Sequence, residues 1–300
     1  LSIRKKPKET LKTMFNMLAG VLWADVTFSW FADTHAFWAV RLSKIFGKKA
    51  IVVASGYSVA NMPEIGYGLM LNPRSARKVK YVLGNADKVL AVSEFNKKEI
   101  LKYANSENVK LIYHGVDYEF TSKEGKKNLV ITVGYVTNSN LKRKGLETFV
   151  RAAEFLPNIK FILIGKHLDN SIRYLKSIAP PNVVFTGFVS DEKLLEYYQT
   201  AKVYVQVSAH EGFGCSLAEA MLCGCVPVVT KKGAIPEVVG DTGFYVPFGD
   251  PKATAEAIKK ALKSDKGNKA RERIKTMFPI KRREKKLVSE IINLTDVKKG

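Results

Sequence analysis

Short runs of Val, Ile and Leu alternate with helical segments along most of the chain, and this alternation constrains the fold more than any other feature. Such runs occur at 25–31, 48–55, 88–93 and 109–115, and they recur at 128–134, 159–165, 183–187, 203–208 and 226–230. Apolar strands separated by helices are typical of parallel sheets covered on both faces. The sequence therefore predicts an α/β chain with two doubly wound parallel-sheet domains facing across a cleft. Ligands in such folds bind at the carboxyl ends of the strands.

A polar, glycine-punctuated stretch at 115–128 interrupts this alternation and predicts a linker there. We predict an N-terminal domain over residues 1–120, a second domain over 128–265, and a basic helical segment over 266–300. The first domain has four clear strands, and nothing before residue 25 is typical of a strand that leads into a glycine-rich turn. We therefore expect the first strand and first turn of this domain to be missing, which leaves the N-terminal domain truncated.

The net charge of +21 is concentrated at the two ends of the chain. Residues 1–127 and 257–300 each carry +10, whereas residues 128–256 carry +1. Basic ends attract nucleic acid, anionic membranes or phosphorylated substrates, and a merely solvated basic surface is an equal alternative. Because no aromatic-basic RNA motif or recognition helix accompanies the charge, we expect no nucleic-acid partner.

Composition also bears on the compartment. The chain has no run of 18 apolar residues, so we expect no membrane span, and its first ten residues lack the apolar core of a signal peptide. The cysteines Cys215, Cys223 and Cys225 are predicted to be small buried residues in a reducing compartment. We expect a cytoplasmic protein, at the inner face of the cell membrane if the basic ends contact lipid.

The segment HEGFGCSLAEAMLCGCVPVVT at 210–230 places two carboxylates, Glu211 and Glu219, around a glycine turn. Gly212 and Gly214 permit a tight turn and a close approach of the backbone to a ligand. Alternative interpretations remain for each acid. Glu219 fits a capping box with Ser216, and Glu211 fits an exposed loop carboxylate.

A second cluster, Lys142, Arg143 and Lys144, precedes a predicted helix. Cations beside a helix N-terminus suit a diphosphate, and a surface charge run is the alternative.

Taken together, these segments resemble the retaining glycosyltransferases of family 4, which have the GT-B fold. The resemblance rests on 210–229 and on KGAIPEVVGDTGFYVPFGDP at 232–251, with support from 91–117, 133–152 and 183–198. It implies an enzyme of hexosyltransferase type that moves a sugar from a nucleotide-diphosphate sugar to a glycan or lipid-linked acceptor. It also implies retention of anomeric configuration, no divalent metal and no cofactor, and the sequence has no Asp-x-Asp pair.

The resemblance also implies roles for individual residues. Glu211 and Lys144 are the catalytic candidates, Glu211 beside the transferred sugar and Lys144 at the diphosphate. The implied donor-binding residues are Arg143 at the diphosphate, Gly187, Phe188 and Val189 at the nucleobase, Gly212, Phe213, Gly214, Cys215 and Ser216 at the sugar and diphosphate, and Glu219 at the ribose.

The chain departs from the family pattern at two places. Tyr135 stands where the family usually has an arginine, so Arg143 or Lys142 would have to substitute. The segment ASGYS at 54–58 lacks a histidine that often contacts the transferred sugar. His35 is the acceptor-side candidate, or else a helix cap. These departures leave open a catalytically inactive family member that acts as a binding subunit. A same-fold nucleotide-sugar epimerase is a separate alternative.

The C-terminal tail at 278–294 is basic and places Leu287, Ile291 and Leu294 on one helical face. The resemblance implies that this segment packs back on the N-terminal domain. Peripheral contact with an anionic membrane is the alternative, and one helix can do both.

Overall fold

The structure, a computed structural model, describes residues 7–117 and 125–295 and contains two all-parallel sheets, of four and six strands, covered by helices. This confirms the predicted α/β class. Most of the predicted linker, residues 118–124, lies outside the described residues.

The first sheet has the strand order β1-β2-β3-β4, with every neighbouring pair parallel. Its strands are β1 (Val26–Trp30), β2 (Lys49–Val53), β3 (Lys88–Ala91) and β4 (Val109–Leu111). The helices of this part are α1 (Pro7–Trp23), α2 (Thr34–Ile45), α3 (Gly56–Val59), α4 (Pro73–Asn85) and α5 (Glu94–Ile100). Val52, Val79, Leu83 and Val89 are fully buried in its core.

Side-chain caps set the starts of these helices. Asn72 accepts hydrogen bonds from the amides of Arg74 and Ser75 at the start of α4, where Pro73 occupies the first turn. Ser93 likewise accepts from the Asn96 amide at the start of α5. Each cap satisfies amides that no helical carbonyl can reach.

The second sheet has the order β10-β9-β8-β5-β6-β7, also parallel throughout. Its strands are β5 (Lys127–Val133), β6 (Lys160–Ile164), β7 (Val183–Gly187), β8 (Ala201–Gln206), β9 (Val226–Thr230) and β10 (Phe244–Val246). The strand order reverses between β5 and β8, and α/β sheets bind ligands at such a switch point.

Nine helices follow in the described chain after residue 125. They are α6 (Asn138–Arg143), α7 (Leu146–Ala152), α8 (Ser171–Ile178), α9 (Asp191–Thr200), α10 (Cys215–Leu222), α11 (Ile235–Val239), α12 (Pro251–Leu262), α13 (Lys266–Met277) and α14 (Ile280–Thr295). Short 3-10 helices occur at Pro63–Ile65, Leu69–Leu71, Ser106–Asn108 and Ala153–Phe155.

The chain divides into two compact units. The described residues of 1–62, 68–112 and 284–300 form the first unit, and those of 63–67 and 113–283 form the second. The last part of α14 therefore belongs to the first unit. Leu287, Ile291 and Leu294 are half-buried, whereas Val288 and Ile292 are exposed, so the predicted apolar face of α14 exists.

No helix in the described ranges is long and apolar enough to cross a membrane. Cys223 and Cys225 are fully buried as predicted, whereas Cys215 is exposed, which corrects the prediction for that residue. Cys215 begins α10, whereas Cys223 and Cys225 lie between the end of α10 and the buried strand β9.

Candidate functional site

A cavity of about 330 Å³ opens at the carboxyl ends of β5, β6 and β7 in the second unit. We call it the β5–β7 cavity. Its lining residues are Val133, Gly134, Tyr135, Asn140, Arg143, Lys144, Ile164, Gly165, Lys166, Phe188, Val189, Asp191, Leu194 and Ser216. Five of the predicted site residues, Arg143, Lys144, Phe188, Val189 and Ser216, thus line one cavity. Phe188 is 76% exposed, so its ring is available for stacking.

Glu211 joins both cations of this cavity on one carboxylate oxygen. Its Oε1 lies 2.9 Å from Lys144 Nζ and 3.5 Å from the Arg143 guanidinium, and it accepts a hydrogen bond of 3.0 Å from Ser208. Glu211 is 8% exposed, which corrects the interpretation of an exposed loop carboxylate. Burial alone would raise the pKa of Glu211, but the charges of Lys144 and Arg143 outweigh it and leave the pKa below its ordinary value.

Arg143 is held in place by two successive hydrogen bonds that connect it to the residues after β5. Its Nε donates to Asn140 Oδ1 at 2.9 Å, and Asn140 Nδ2 donates to the Tyr135 carbonyl at 2.8 Å. The guanidinium also lies 4.8 Å from the ring centre of Tyr67, within cation–π range. Lys142 instead lines a different hollow, with Glu64 and Glu147. Of the two candidates to replace the arginine absent at Tyr135, Arg143 is therefore the one that lines the cavity.

Gly145 explains how Lys144 reaches the cavity. Gly145 has φ 67° and precedes α7, and a Cβ on it would lie 2.3 Å from the Val207 carbonyl oxygen. Only glycine fits such a left-handed position against another backbone. The cluster 142–144 therefore ends the short α6 and precedes α7, and the chain turns sharply at Lys144.

The turn after β8 does not form the capping box considered for Ser216. Helix α10 begins at Cys215, with Gly214 at its N-cap at φ 97°, so Ser216 lies inside the helix. The Glu219 carboxylate instead accepts a hydrogen bond of 3.1 Å from the Tyr198 hydroxyl. The capping-box interpretation was wrong because Gly214, rather than Ser216, makes the change of backbone direction. Burial raises the pKa of Glu219 and raises that of Tyr198 well above its ordinary value.

Several predicted donor residues lie outside the lining of the β5–β7 cavity among the described residues: Gly187, Gly212, Phe213, Gly214, Cys215 and Glu219. The Phe213 ring is buried and packs edge-on against Phe278 and near His114. Burial lowers the pKa of His114 to about 4, so it is neutral at physiological pH. The assigned roles of these residues stay predictions.

His35 lies in the first turn of α2, in the first unit. Its amide donates to Asp33 Oδ1 at 2.9 Å, and its Nδ1 contacts the same carboxylate. Asp33 is therefore the cap of α2, which corrects the interpretation of His35 as a cap. The acceptor-side role of His35 stays a prediction.

Lys166 and Asp191 line the β5–β7 cavity although the sequence analysis did not single them out. Lys166 follows Gly165, directly after β6, and Asp191 begins α9 after β7. Their positions after the carboxyl ends of predicted strands were the signal that could have identified them.

Solved structures with a similar fold include a glycosyltransferase from Rickettsia africae, which superposes with a TM-score of 0.75 at 16% identity over 99% of this chain and 84% of that one. HepE of Anabaena, solved in complex with UDP and glucose, superposes with a TM-score of 0.81 over 97% of this chain and 84% of HepE, at 18% identity. This likeness shows the fold, which is GT-B. The prediction of that fold is confirmed.

Proteins related in sequence to this chain are also named as sugar transferases or as enzymes that make glycosylated products. The capsular polysaccharide biosynthesis glycosyltransferase CapM of Staphylococcus aureus is 32% identical over 61% of this chain, and the chain spans 52% of CapM. The N-acetyl-alpha-D-glucosaminyl L-malate synthase of Bacillus anthracis is 24% identical over 89% of this chain and 73% of its own length. The family model for glycosyl transferases group 1 matches residues 117–277, more than half of the chain. The chain belongs to the family of group 1 glycosyl transferases.

Proposed function

We propose that the protein is a glycosyltransferase that moves a sugar from a nucleotide-diphosphate sugar to a glycan or lipid-linked acceptor. The transfer retains anomeric configuration and needs no divalent metal. One observation carries this proposal: Arg143 and Lys144 line one cavity at the strand ends and share the buried carboxylate of Glu211.

This arrangement suits the bond that must break. Cleavage of the bond between the anomeric carbon and the diphosphate leaves positive charge on the sugar, and the diphosphate departs with the electron pair. Arg143 and Lys144 stabilise the departing diphosphate as its charge develops, which is the task a metal ion performs in other enzymes. Lys166, in the same cavity, adds a third cation.

The acceptor hydroxyl then bonds to the anomeric carbon on the face that the diphosphate leaves, and its proton passes to a departing phosphate oxygen. Glu211, ionised and buried between the cations and Ser208, stabilises the positive charge on the sugar. Because both cations already carry a carboxylate partner, the diphosphate must share them with Glu211. A donor whose diphosphate lies on Arg143 and Lys144 therefore has its sugar close to the buried carboxylate of Glu211.

The relatives support the substrate class. HepE was solved with UDP and glucose, which favours a nucleotide-diphosphate donor, and CapM is named for capsular polysaccharide biosynthesis, which favours a glycan acceptor. The nucleobase is proposed to stack on Phe188 beside Val189, and the ribose to bind Glu219 through its two hydroxyls.

We further propose that the protein contacts an anionic membrane surface, where a lipid-linked acceptor would be found. Residues 1–127 carry a net charge of +10, and α1 exposes Phe15 and Trp23, which are 70% and 89% exposed. Basic residues beside exposed aromatic rings favour the lipid interface.

The test is sugar transfer with a panel of UDP- and GDP-sugars and of glycan and lipid-linked acceptors, in the presence of EDTA. We expect one donor to yield a product whose anomeric proton coupling shows retention. Glu211→Ala should lose at least about a hundredfold in rate, and Glu256→Ala, an exposed acid on α12, should not change it. Donor isomerisation without transfer would instead indicate an epimerase, and binding of donor without any turnover would indicate a binding subunit.

A further inference from the structure

A second cavity opens at the same edge of the second sheet, at the carboxyl ends of β9 and β10. We call it the β9–β10 cavity. It measures about 390 Å³ and is lined by residues 230–232 and 245–248. It shares no lining residue with the β5–β7 cavity, since β8 separates β9 from β5 in the strand order. The proposed donor contacts do not use it.

The chemistry of this cavity is cationic and aromatic. Lys231 and Lys232 are exposed, and Lys231 Nζ lies 5.5 Å from the ring centre of Tyr245. The Tyr245 hydroxyl donates to the Gly240 carbonyl at 2.6 Å, which fixes the ring. Phe248 is 38% exposed and supplies a second aromatic face. None of the described residues that line the cavity is acidic. Two ammonium groups attract an anion, and aromatic faces pack on the C–H face of a sugar ring.

The cavity is attached to the backbone that holds Glu211. Gly233, at φ 59°, directly follows Lys232, and a Cβ on it would lie 2.5 Å from the Glu211 carbonyl oxygen. The Ala234 amide donates to that oxygen at 2.9 Å, and Thr230 Oγ1 donates to the Ser208 carbonyl at 2.6 Å. The segment that carries Lys231 and Lys232 therefore directly contacts the backbone of Glu211, the acid proposed to face the transferred sugar.

We propose that the β9–β10 cavity binds an anionic sugar unit of the acceptor glycan, bearing a carboxylate or a phosphate, remote from the hydroxyl that is glycosylated. The acceptor role rests on the proposed function. The lysines bind the anion, and Tyr245 and Phe248 pack on the ring.

The test uses cellobiouronic acid and cellobiose, which differ only in a carboxylate, with inorganic phosphate as a third probe, in titrations of the full chain followed by NMR. We expect cellobiouronic acid to bind and cellobiose to bind at least about tenfold more weakly. Lys231→Ala/Lys232→Ala should weaken the binding of cellobiouronic acid by at least about tenfold. Phe248→Ala should weaken the binding of cellobiouronic acid but not that of phosphate. Lys252→Ala/Lys259→Ala removes the same charge from α12 and should change nothing.

Equal binding of both disaccharides, or binding unchanged in Lys231→Ala/Lys232→Ala, would overturn the proposal. If inorganic phosphate bound as tightly as cellobiouronic acid, the site would recognise an anion only, and the claim that it binds a sugar would be wrong. Nucleoside diphosphates titrated into the same samples separate the two claims. Nucleoside-diphosphate binding without acid-sugar binding defeats this inference alone. Acid-sugar binding without nucleoside-diphosphate binding defeats the proposed function and the acceptor role that rests on it, and leaves a site for acidic sugars.

Discussion

At the scale of the residue, Glu211 links stability to function. A buried carboxylate is costly unless it is paired, and here two cations and a hydroxyl pair it. The same two cations are the ones proposed to bind the diphosphate. In that proposal, the Glu211 carboxylate holds both cations in place before the donor binds.

We expect Glu211→Gln to lower the free energy of opening of the second unit by about 2 kcal/mol at pH 7, because two cations lose their counter-ion. The folded pKa of Glu211 lies below its ordinary value, so its contribution is present above about pH 4.5 and is lost as pH falls through the folded pKa. The difference in opening free energy between Glu211→Gln and wild type should become smaller below that pH. Hydrogen exchange of the β5 and β8 amides measures the opening free energy of the second unit. Tryptophan fluorescence would not, since all three tryptophans lie in the first unit.

An equal difference at every pH between 7 and 3.5 would show that the carboxylate charge of Glu211 does not stabilise the unit.

Glu219 presents the opposite case. Burial raises its folded pKa, so its ionisation opposes folding as pH rises from about 4.5 through the folded pKa. Glu219→Gln keeps an acceptor for the Tyr198 hydroxyl and should raise the opening free energy at pH 7. The same variant should bind nucleoside diphosphates about tenfold more weakly if Glu219 holds the ribose. Unchanged affinity would remove the ribose assignment.

At the scale of the element, the turn between α6 and α7 fixes the cationic cluster. Gly145→Ala should destabilise the second unit by at least about 2 kcal/mol, since a Cβ there meets the Val207 carbonyl oxygen at 2.3 Å. It should also weaken nucleotide binding by displacing Lys144. Hydrogen exchange and calorimetry measure the two effects.

Gly84→Ala is the matched control. Gly84 is exposed in α4, and a Cβ added to it would have no neighbouring atom within 4 Å, so this change should stabilise the first unit by about 0.5–1 kcal/mol. Similar effects of the two substitutions would contradict a special role for Gly145.

Apolar periodicity predicted nine of the ten described strands, because buried parallel strands need contiguous Val, Ile and Leu. Eight of them match to within about two residues, whereas β4 ends at Leu111, four residues before the predicted end at 115. Apolar periodicity did not predict α3, α6, α11 or β10, which have four, six, five and three residues and too little pattern to detect. It also did not predict α1, although that helix has 17 residues.

The family resemblance named five of the residues that line the β5–β7 cavity, Arg143, Lys144, Phe188, Val189 and Ser216. The pairing of Glu219 with Tyr198 was not predicted, because it depends on how two helices, α9 and α10, pack against each other, which the sequence pattern does not give.

At the scale of the whole molecule, charge and site chemistry are separated along the chain. Residues 128–256, which contain the β5–β7 cavity, carry a net charge of +1, whereas the two ends carry +10 each. The basic ends remain available to contact a charged surface.

We expect the protein to float with vesicles that contain acidic phospholipid at low salt and not with neutral vesicles, because basic residues gain about 1 kcal/mol each near an anionic surface. Raising the ionic strength should release it. Phe15→Ser/Trp23→Ser should weaken flotation without changing nucleotide binding. Absence of flotation with acidic vesicles at low salt would remove the membrane proposal.

The central claim is that Arg143 and Lys144 bind the diphosphate of a nucleotide sugar, and isothermal titration with UDP, GDP, ADP and TDP tests it most directly. We predict that wild type binds one of these with clear preference. We also predict that Lys144→Ala loses at least about tenfold in affinity for that nucleotide, and that Lys252→Ala retains it. No binding of any nucleoside diphosphate, or equal affinity in wild type and Lys144→Ala, would contradict the claim.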